Sequence, residues 1–272
     1  MDTDKIEEEL KRVLVENGIR EDDHGYYHPS EVTGCPLKVF LEKMTRNETV
    51  LNSWLFQGSA VHYYLQNARS PEGYDGIITE VLHDAGYHAM HTDYEVHTKK
   101  DLGDGITLTG TCDILCQQGD TTTIFDIKYS SLKPEYGHGR VYQYFSQANT
   151  YAYMFGADEY ALIFINSRSQ KLEDDIWVLD NEPNEENWEL VKNKALAIHN
   201  ALEEAGLPDG VVWPMPELEE KPNAWWEDIM EWFDTNNVPA YEKECQYCDH
   251  SDYCPVKNGK LSSGLSSFRG GG

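Results

Sequence analysis

Residues 106–130 constrain the fold more than any other stretch of this chain. Ile106–Cys116 and Thr122–Ser130 are rich in β-branched and apolar residues that alternate with polar ones, and Gln117-Gln118-Gly119-Asp120 supplies turn residues between them. The pattern predicts an antiparallel β-hairpin. If the loop runs from Gln118 to Thr121, Asp113 falls directly across from Asp126, and Lys128, two residues further on, shares the face of Asp126. Charges on the wet face of a half-buried hairpin are the commoner outcome for a short Asp-x-Lys. Here, however, Ile124, Phe125 and Ile127 read as buried, so the charges emerge from an apolar strand that a surface hairpin would not need. Two carboxylates suit a hard cation such as Mg or Mn, and a lysine beside them can stabilise charge developing on a phosphate.

The chain has 272 residues, enough for one substantial core with an appended small lobe. Asp and Glu number 48 against 22 Lys and Arg, for a formal net charge of -26. Taken alone, that balance argues against a nucleic-acid partner, because affinity for phosphates comes largely from basic side chains. The hydrophobic content of 40% excludes a disordered acidic chain. A surface-wide acidic bias instead fits a very salty cytoplasm, where the Debye length falls to about 3 Å at 1 M and self-repulsion costs little. A halophilic origin is therefore expected. The sequence contains no long apolar run, and Met1-Asp-Thr-Asp-Lys-Ile lacks the basic and apolar regions of a signal peptide, so a cytoplasmic location is expected.

Along the chain, Asp4–Glu16 has the spacing of a short amphipathic helix, and Cys35 stands just before a helix with Pro36 in its first turn. Trp54–Asn67 predicts a helix with Leu55, Gly58, His62 and Leu65 on one stripe, so His62 faces inward, either as a hydrogen-bonded core residue or as a ligand. Ile77–Leu82 and Tyr87–Thr98 read as the first strands of a sheet. Tyr136–Arg140 reads as a loop, and Val141–Phe155 as a helix with Tyr144, Gln147, Tyr151 and Met154 along one side. Tyr160–Asn166 and Asp175–Leu179 read as strands. Asn184–Glu204 reads as a helix stopped by Gly206, and Ala224–Phe233 as a tryptophan-rich helix packed on the main body. Pro208–Pro222 reads as a linker, and the tail from Lys257 as disordered.

Of the six cysteines, Cys245, Cys248 and Cys254 form Cys-x2-Cys-x5-Cys, a set that asks for a fourth ligand. Cys35 is the natural candidate, with His250 as the alternative in a zinc site. Four thiolates suit tetrahedral zinc or an iron–sulfur cluster, and either would clip together opposite ends of the chain. Cys112 and Cys116 read as structural.

In this order, Cys35, Gly58-x-x-x-His62, Gly110-x-x-Asp113, Asp126-Ile-Lys128, Gln147-x-x-x-Tyr151 and the closing cysteines resemble the RecB-like branch of the PD-(D/E)XK nucleases. The resemblance is closest to the CRISPR-associated exonucleases of that branch with a four-cysteine iron–sulfur cluster, and it covers most of residues 30–256. It implies an α/β fold: a PD-(D/E)XK restriction-endonuclease-like core, with a mixed central sheet flanked by helices and an iron–sulfur-stapled helical lobe. The expected divisions are an N-terminal helical segment (1–70), the nuclease core (71–206), a C-terminal helix and cysteine segment (207–256) and the tail (257–272). It further implies that His62, Asp113, Asp126 and the Ile127 carbonyl bind Mn or Mg and that Lys128 positions or activates water. Gln147 and Tyr151 would support the site or touch DNA. A 4Fe-4S cluster would sit on Cys35, Cys245, Cys248 and Cys254. The expected activity is metal-dependent exonucleolytic cleavage of single-stranded or frayed DNA, in CRISPR spacer processing with integrase partners or in repair and recombination. The rivals are a non-cleaving scaffold that holds DNA ends and a zinc-stapled structural protein.

Overall fold

The computed structural model describes residues 26–45, 53–69, 73–74, 76–85, 91–131, 139–168, 176–206, 221–236, 238, 248 and 254. The expectations for the helix at 4–16, most of the loop at 136–140, most of the linker at 208–222, Cys245, His250 and the tail lie outside the described residues.

The hairpin nucleates a six-stranded sheet. Strand β3 (Ile106–Gln118) and strand β4 (Thr121–Ser130) pair antiparallel from Ile114↔Phe125 to Gln118↔Thr121 around Gly119 and Asp120, the register that turn chemistry dictates. Gly119 takes a φ of 63°, which a residue without Cβ adopts at little cost. On its other edge β3 pairs antiparallel with β2 (His91–Gly103), while the short β1 (Tyr26–Tyr27) runs parallel to β3 at Thr107 and Leu108. Strand β5 (Glu159–Asn166) lies parallel to β4, and β6 (Ile176–Asn181) closes the sheet antiparallel to β5. The strand order is β1-β3-β4-β5-β6, with β2 on β3. Because β4 and β5 are parallel, a crossover must join them, and helix α5 (Gly139–Phe155) provides it.

Strands β4 and β5 are buried along nearly their whole length, as expected of central strands covered by helices. Helix α5 packs on β4 and β5 and against α6 (Glu185–Ala205), and α6 in turn contacts α2 (Pro36–Thr45) and α7 (Asn223–Thr235). Helix α6 shows why its limits were legible: the Asn184 side chain caps the Asn187 amide, and Gly206 ends the helix at a φ of 67°. Its apolar stripe, Trp188, Val191, Ala195, Ile198 and Leu202, is buried, and Trp226, Ile229 and Phe233 of α7 join the same core.

The chain divides into two compact units. One comprises 1–23 and 46–88, and its described elements are α3 (Ser53–Asn67) and α4 (Ile77–Asp84). The other, 24–45 and 89–272, holds the sheet, the remaining described helices and α1 (Pro29–Val32). One expectation is corrected here: Ile77–Leu82 is helical rather than a strand. Ile78 and Leu82, four residues apart, are both buried while Val81 is 51% exposed, a helical spacing that outweighs the β-branched character of the segment. The following strand is described from His91 and extends to Gly103, past the expected end at Thr98, while residues 87–90 lie outside the described residues.

Candidate functional site

The site forms where β3 and β4 part. Their backbone ladder ends at Ile114↔Phe125, and the next pair in register is Asp113 with Asp126. There the Asp113 side chain takes over from the backbone: its Oδ2 accepts the Ile127 amide at 2.6 Å. The bond fixes one carboxylate oxygen against β4. Asp126 is 2% exposed and Asp113 9%, so both acids sit in surroundings where an ionised carboxylate requires a counter-charge or a cation.

Lys128 supplies part of that charge. Its Nζ lies 2.6 Å from Asp126 Oδ2, donates to Gln147 Oε1 at 2.9 Å and stands 5.2 Å from the centre of the Tyr144 ring. Burial, the largest single influence, would lower the Lys128 pKa. Asp126 first, then Asp113, a hydrogen bond to Asp126 and Tyr144 together outweigh it and hold the group above its ordinary value. Lys128 is therefore an ammonium at neutral pH. The same surroundings affect Cys112 on β3: burial above all, then the Asp113 and Asp126 charges, pushes its thiol up to about 12. Cys112 and Cys116 are both fully buried, and the raised pKa keeps Cys112 a neutral packing group.

Helix α5 brings Gln147 and Tyr151 to the site, one turn apart on one face. Tyr151 is 5% exposed, and burial first and the Asp126 charge second raise its pKa, which the neighbouring Gln147 only partly offsets. A Cβ added at Gly110 would lie 2.9 Å from Pro29 Cδ and 2.9 Å from Tyr151 Cε1. Both rings thus rest on the bare α-carbon of Gly110.

The sequence reading missed Glu95. It sits on β2 between the pairs Tyr94↔Ile114 and Val96↔Cys112, and so across from Asp113. Its φ of 50° is left-handed, a backbone state that costs a side-chain-bearing residue about 1–3 kcal/mol. A carboxylate oxygen of Glu95 lies within 4.8 Å of one of Asp113. Only the β2–β3 register identifies this pairing. His62 lies half-buried on α3, in the other unit. The carboxylate oxygens of Asp113 and Glu95, which approach within 4.8 Å, suit a hard divalent cation.

Among the cysteines, Cys35 and Cys254 are half-buried and pack against the main core, and Cys248 is half-buried. Among the described residues no disulfide forms. The segment leading to Cys35 is held firmly: the buried Lys194 of α6 donates to the carbonyls of Thr33 at 3.2 Å and Gly34 at 2.9 Å. On β2, Lys99 lies over the Tyr26 ring and Lys100 donates to the Tyr153 carbonyl.

Residues 75–255 match the PD-(D/E)XK nuclease superfamily. None of the curated proteins matches the sequence. Among solved structures, that of SSO0001 is similar with a TM-score of 0.54 and 19% identity, covering 94% of this chain and 97% of that one. An alkaline exonuclease (LHK-Exo) from Laribacter hongkongensis is similar with a TM-score of 0.45 and 12% identity, covering 73% of this chain and 93% of the other. A phage-related exonuclease from Haemophilus somnus 129PT has a TM-score of 0.41 and 11% identity, covering 63% and 82%.

Proposed function

The chain belongs to the PD-(D/E)XK nuclease superfamily, and on that premise we propose that it is a Mn- or Mg-dependent DNA exonuclease acting on single strands or frayed ends. One observation carries the reading: Asp113, Asp126 and Lys128 converge where the hairpin opens, with the lysine bonded to both Asp126 and Gln147. A retired site has no use for a buried pair of acids.

Asp113, Asp126, the Ile127 carbonyl and His62 would hold the cation, and we add Glu95 to that set. The chemistry supplied by a bound divalent cation is neutralisation of the scissile phosphate and a water of lowered pKa. Lys128, held as an ammonium, donates hydrogen bonds to the non-bridging oxygens as charge develops on them during phosphodiester hydrolysis. Asp113 keeps one oxygen on the Ile127 amide and so turns the other toward the reacting centre. Gln147 steadies the ammonium by accepting a hydrogen bond from it at 2.9 Å.

Finer assignments belong to the same proposal. The order of motifs supports a RecB-like enzyme with a 4Fe-4S cluster on Cys35, Cys245, Cys248 and Cys254. The thiol chemistry of the three described ligands fits such a group, since none is tied up in a disulfide. The resemblance supports a cytoplasmic role either in CRISPR spacer processing with integrase partners or in DNA repair and recombination, and the charge supports a halophilic setting.

The test is incubation of anaerobically purified protein in high salt with end-labelled single- and double-stranded DNA, in Mn, Mg or EDTA. Cleavage should require the metal, and Asp113→Ala should lower it at least about a hundredfold while leaving the fold intact. Undiminished cleavage by Asp113→Ala overturns the assignment. A brown preparation absorbing near about 400 nm distinguishes an iron–sulfur cluster from colourless zinc.

A further inference from the structure

A cleft of about 810 Å³ opens on the flank of α5 opposite Gln147 and Tyr151, and the proposed cleavage makes no use of it. Tyr142 and Phe145, three residues apart, share that flank, which the 3.6-residue turn carries round to the far side of the helix from 147 and 151. Tyr160 of β5 and its cross-strand partner Asn181 of β6 also line the cleft, as do Glu182, Glu186 and Glu189 before and along the first turns of α6. All of these residues belong to the unit that holds the sheet. Tyr160 is 5% exposed and its ring belongs to the core, yet among the described residues its hydroxyl has no hydrogen-bond partner. Burial first, and then the Tyr142 phenol, hold its pKa above the ordinary value, so it stays a neutral hydroxyl. Tyr142 lines the same cleft, so the buried phenol ends there. A nearly buried hydroxyl without a partner costs free energy that a bound donor recovers.

The charge of the lining decides what that donor is. Three glutamates and no basic residue face the cleft. Glu189 is paired with Lys192 at 2.6 Å, whereas Glu182 and Glu186 have no ion pair among the described residues. The N-terminus of α6 borders the cleft but is already served against an anion. Asn149 accepts the Asn184 amide, the Asn184 side chain accepts the Asn187 amide, and Glu185 and Glu186 occupy the first turn. The carboxylates therefore select a cation, and the exposed ring of Tyr142 with that of Phe145 selects an organic one, since a bare metal ion gains little from aromatic walls. We propose that the cleft binds a linear alkyl diammonium ion, a diamine or polyamine, with its chain on Tyr142 and Phe145 and its charged ends at Glu182 and Glu186. The Tyr160 hydroxyl accepts a hydrogen bond from one of the ammonium groups. So bound, the ligand ties the end of β6 and the first turn of α6 to the flank of α5.

The site goes beyond the nuclease reading and does not depend on it. Calorimetric titration of the full chain with 1,4-diaminobutane and with spermidine tests it, carried out at about 1 M KCl, where only charges in near contact act on one another. One saturable site is expected, with 1,4-diaminobutane bound at least about fivefold more tightly than butylamine, which has a single charge. Tyr160→Phe keeps the ring in the core and loses only the hydroxyl, so it should weaken diamine binding about twofold to tenfold. Glu182→Gln and Glu186→Gln should each weaken it about twofold to fivefold, and the two together at least about fivefold. N-acetyl-lysine amide offers the same ammonium from a protein side chain; tighter binding of that probe than of either amine overturns the free diamine as occupant. Asp113→Ala should bind 1,4-diaminobutane as wild type does, and loss of binding there would move the ligand to the hairpin acids and overturn the site. Displacement of the diamine by an equal concentration of magnesium chloride, undiminished binding in the double glutamine variant, or no saturable binding by wild type overturns it as well. Failure of the protein to cleave DNA overturns the nuclease reading and leaves these titrations unaffected.

Discussion

At the scale of single residues, Glu95 carries the most information for its size. An acidic side chain in a left-handed backbone state, in the middle of a 13-residue strand, destabilises the free protein. Its carboxylate nevertheless ends within 4.8 Å of that of Asp113. Strain of this kind persists where the surroundings impose it, and the cation proposed to bind between the two carboxylates would account for it. Glu95→Gly relieves the backbone and should raise metal-free stability by about 0.5–1 kcal/mol, after the entropic cost of a glycine in a strand. The same change should weaken Mn binding, measured by calorimetry. A variant that binds Mn as well as wild type removes Glu95 from the site. Asp113, Asp126 and Lys128 were legible as residues because alternation and one turn fix them; Glu95 was not, because nothing in His91–Gly103 reveals which residue faces Asp113 until β2 is paired with β3.

Among the elements, α5 and α6 show how a polar interior joint is built. Asn149, 1% exposed on α5, accepts from the Asn184 amide at 2.7 Å and donates to the Asn184 carbonyl at 3.1 Å and to Asn187 Oδ1 at 3.2 Å. Ser146 donates to the same Asn187 oxygen at 2.9 Å. One side chain thus satisfies both backbone groups of the residue that caps α6. Asn149→Leu should cost about 1–3 kcal/mol by leaving the Asn184 amide without its acceptor, the Asn184 carbonyl still accepting from the Trp188 amide at 3.1 Å, whereas Asn184→Ala, which removes only the side-chain cap, should cost about 1 kcal/mol. Urea denaturation of the two variants checks the order. The α6 limits were readable because Asn184 and Gly206 bracket a regular stripe. Helix α4 was misread because Ile77, Ile78 and Val81 favour strands by composition, and a segment this short offers too few turns for its period to prevail. The α5 face was visible as Tyr144, Gln147 and Tyr151, but its contact with Gly110 is a long-range fact that no local pattern contains.

For the whole molecule, the dominant quantity is the net charge of -26. Self-repulsion on that scale is relieved only by counter-ions, so the melting temperature should rise steadily from low salt into multimolar KCl. A melting temperature independent of KCl would contradict a halophilic adaptation. Under the proposed activity the same charge would limit how DNA is held, since few bases remain to neutralise phosphates, and would shift the burden of binding onto the proposed cation and Lys128. Gly110 bears on what can be separated from what. Residues 29, 110 and 151 meet at one α-carbon although they come from three distant stretches of chain. The catalytic hairpin is therefore not a portable module: grafted onto another sheet without its proline and its tyrosine, it would carry the acids and the lysine but not their alignment. Within this lineage, any side chain acquired at position 110 has to be answered by concerted change at both other positions.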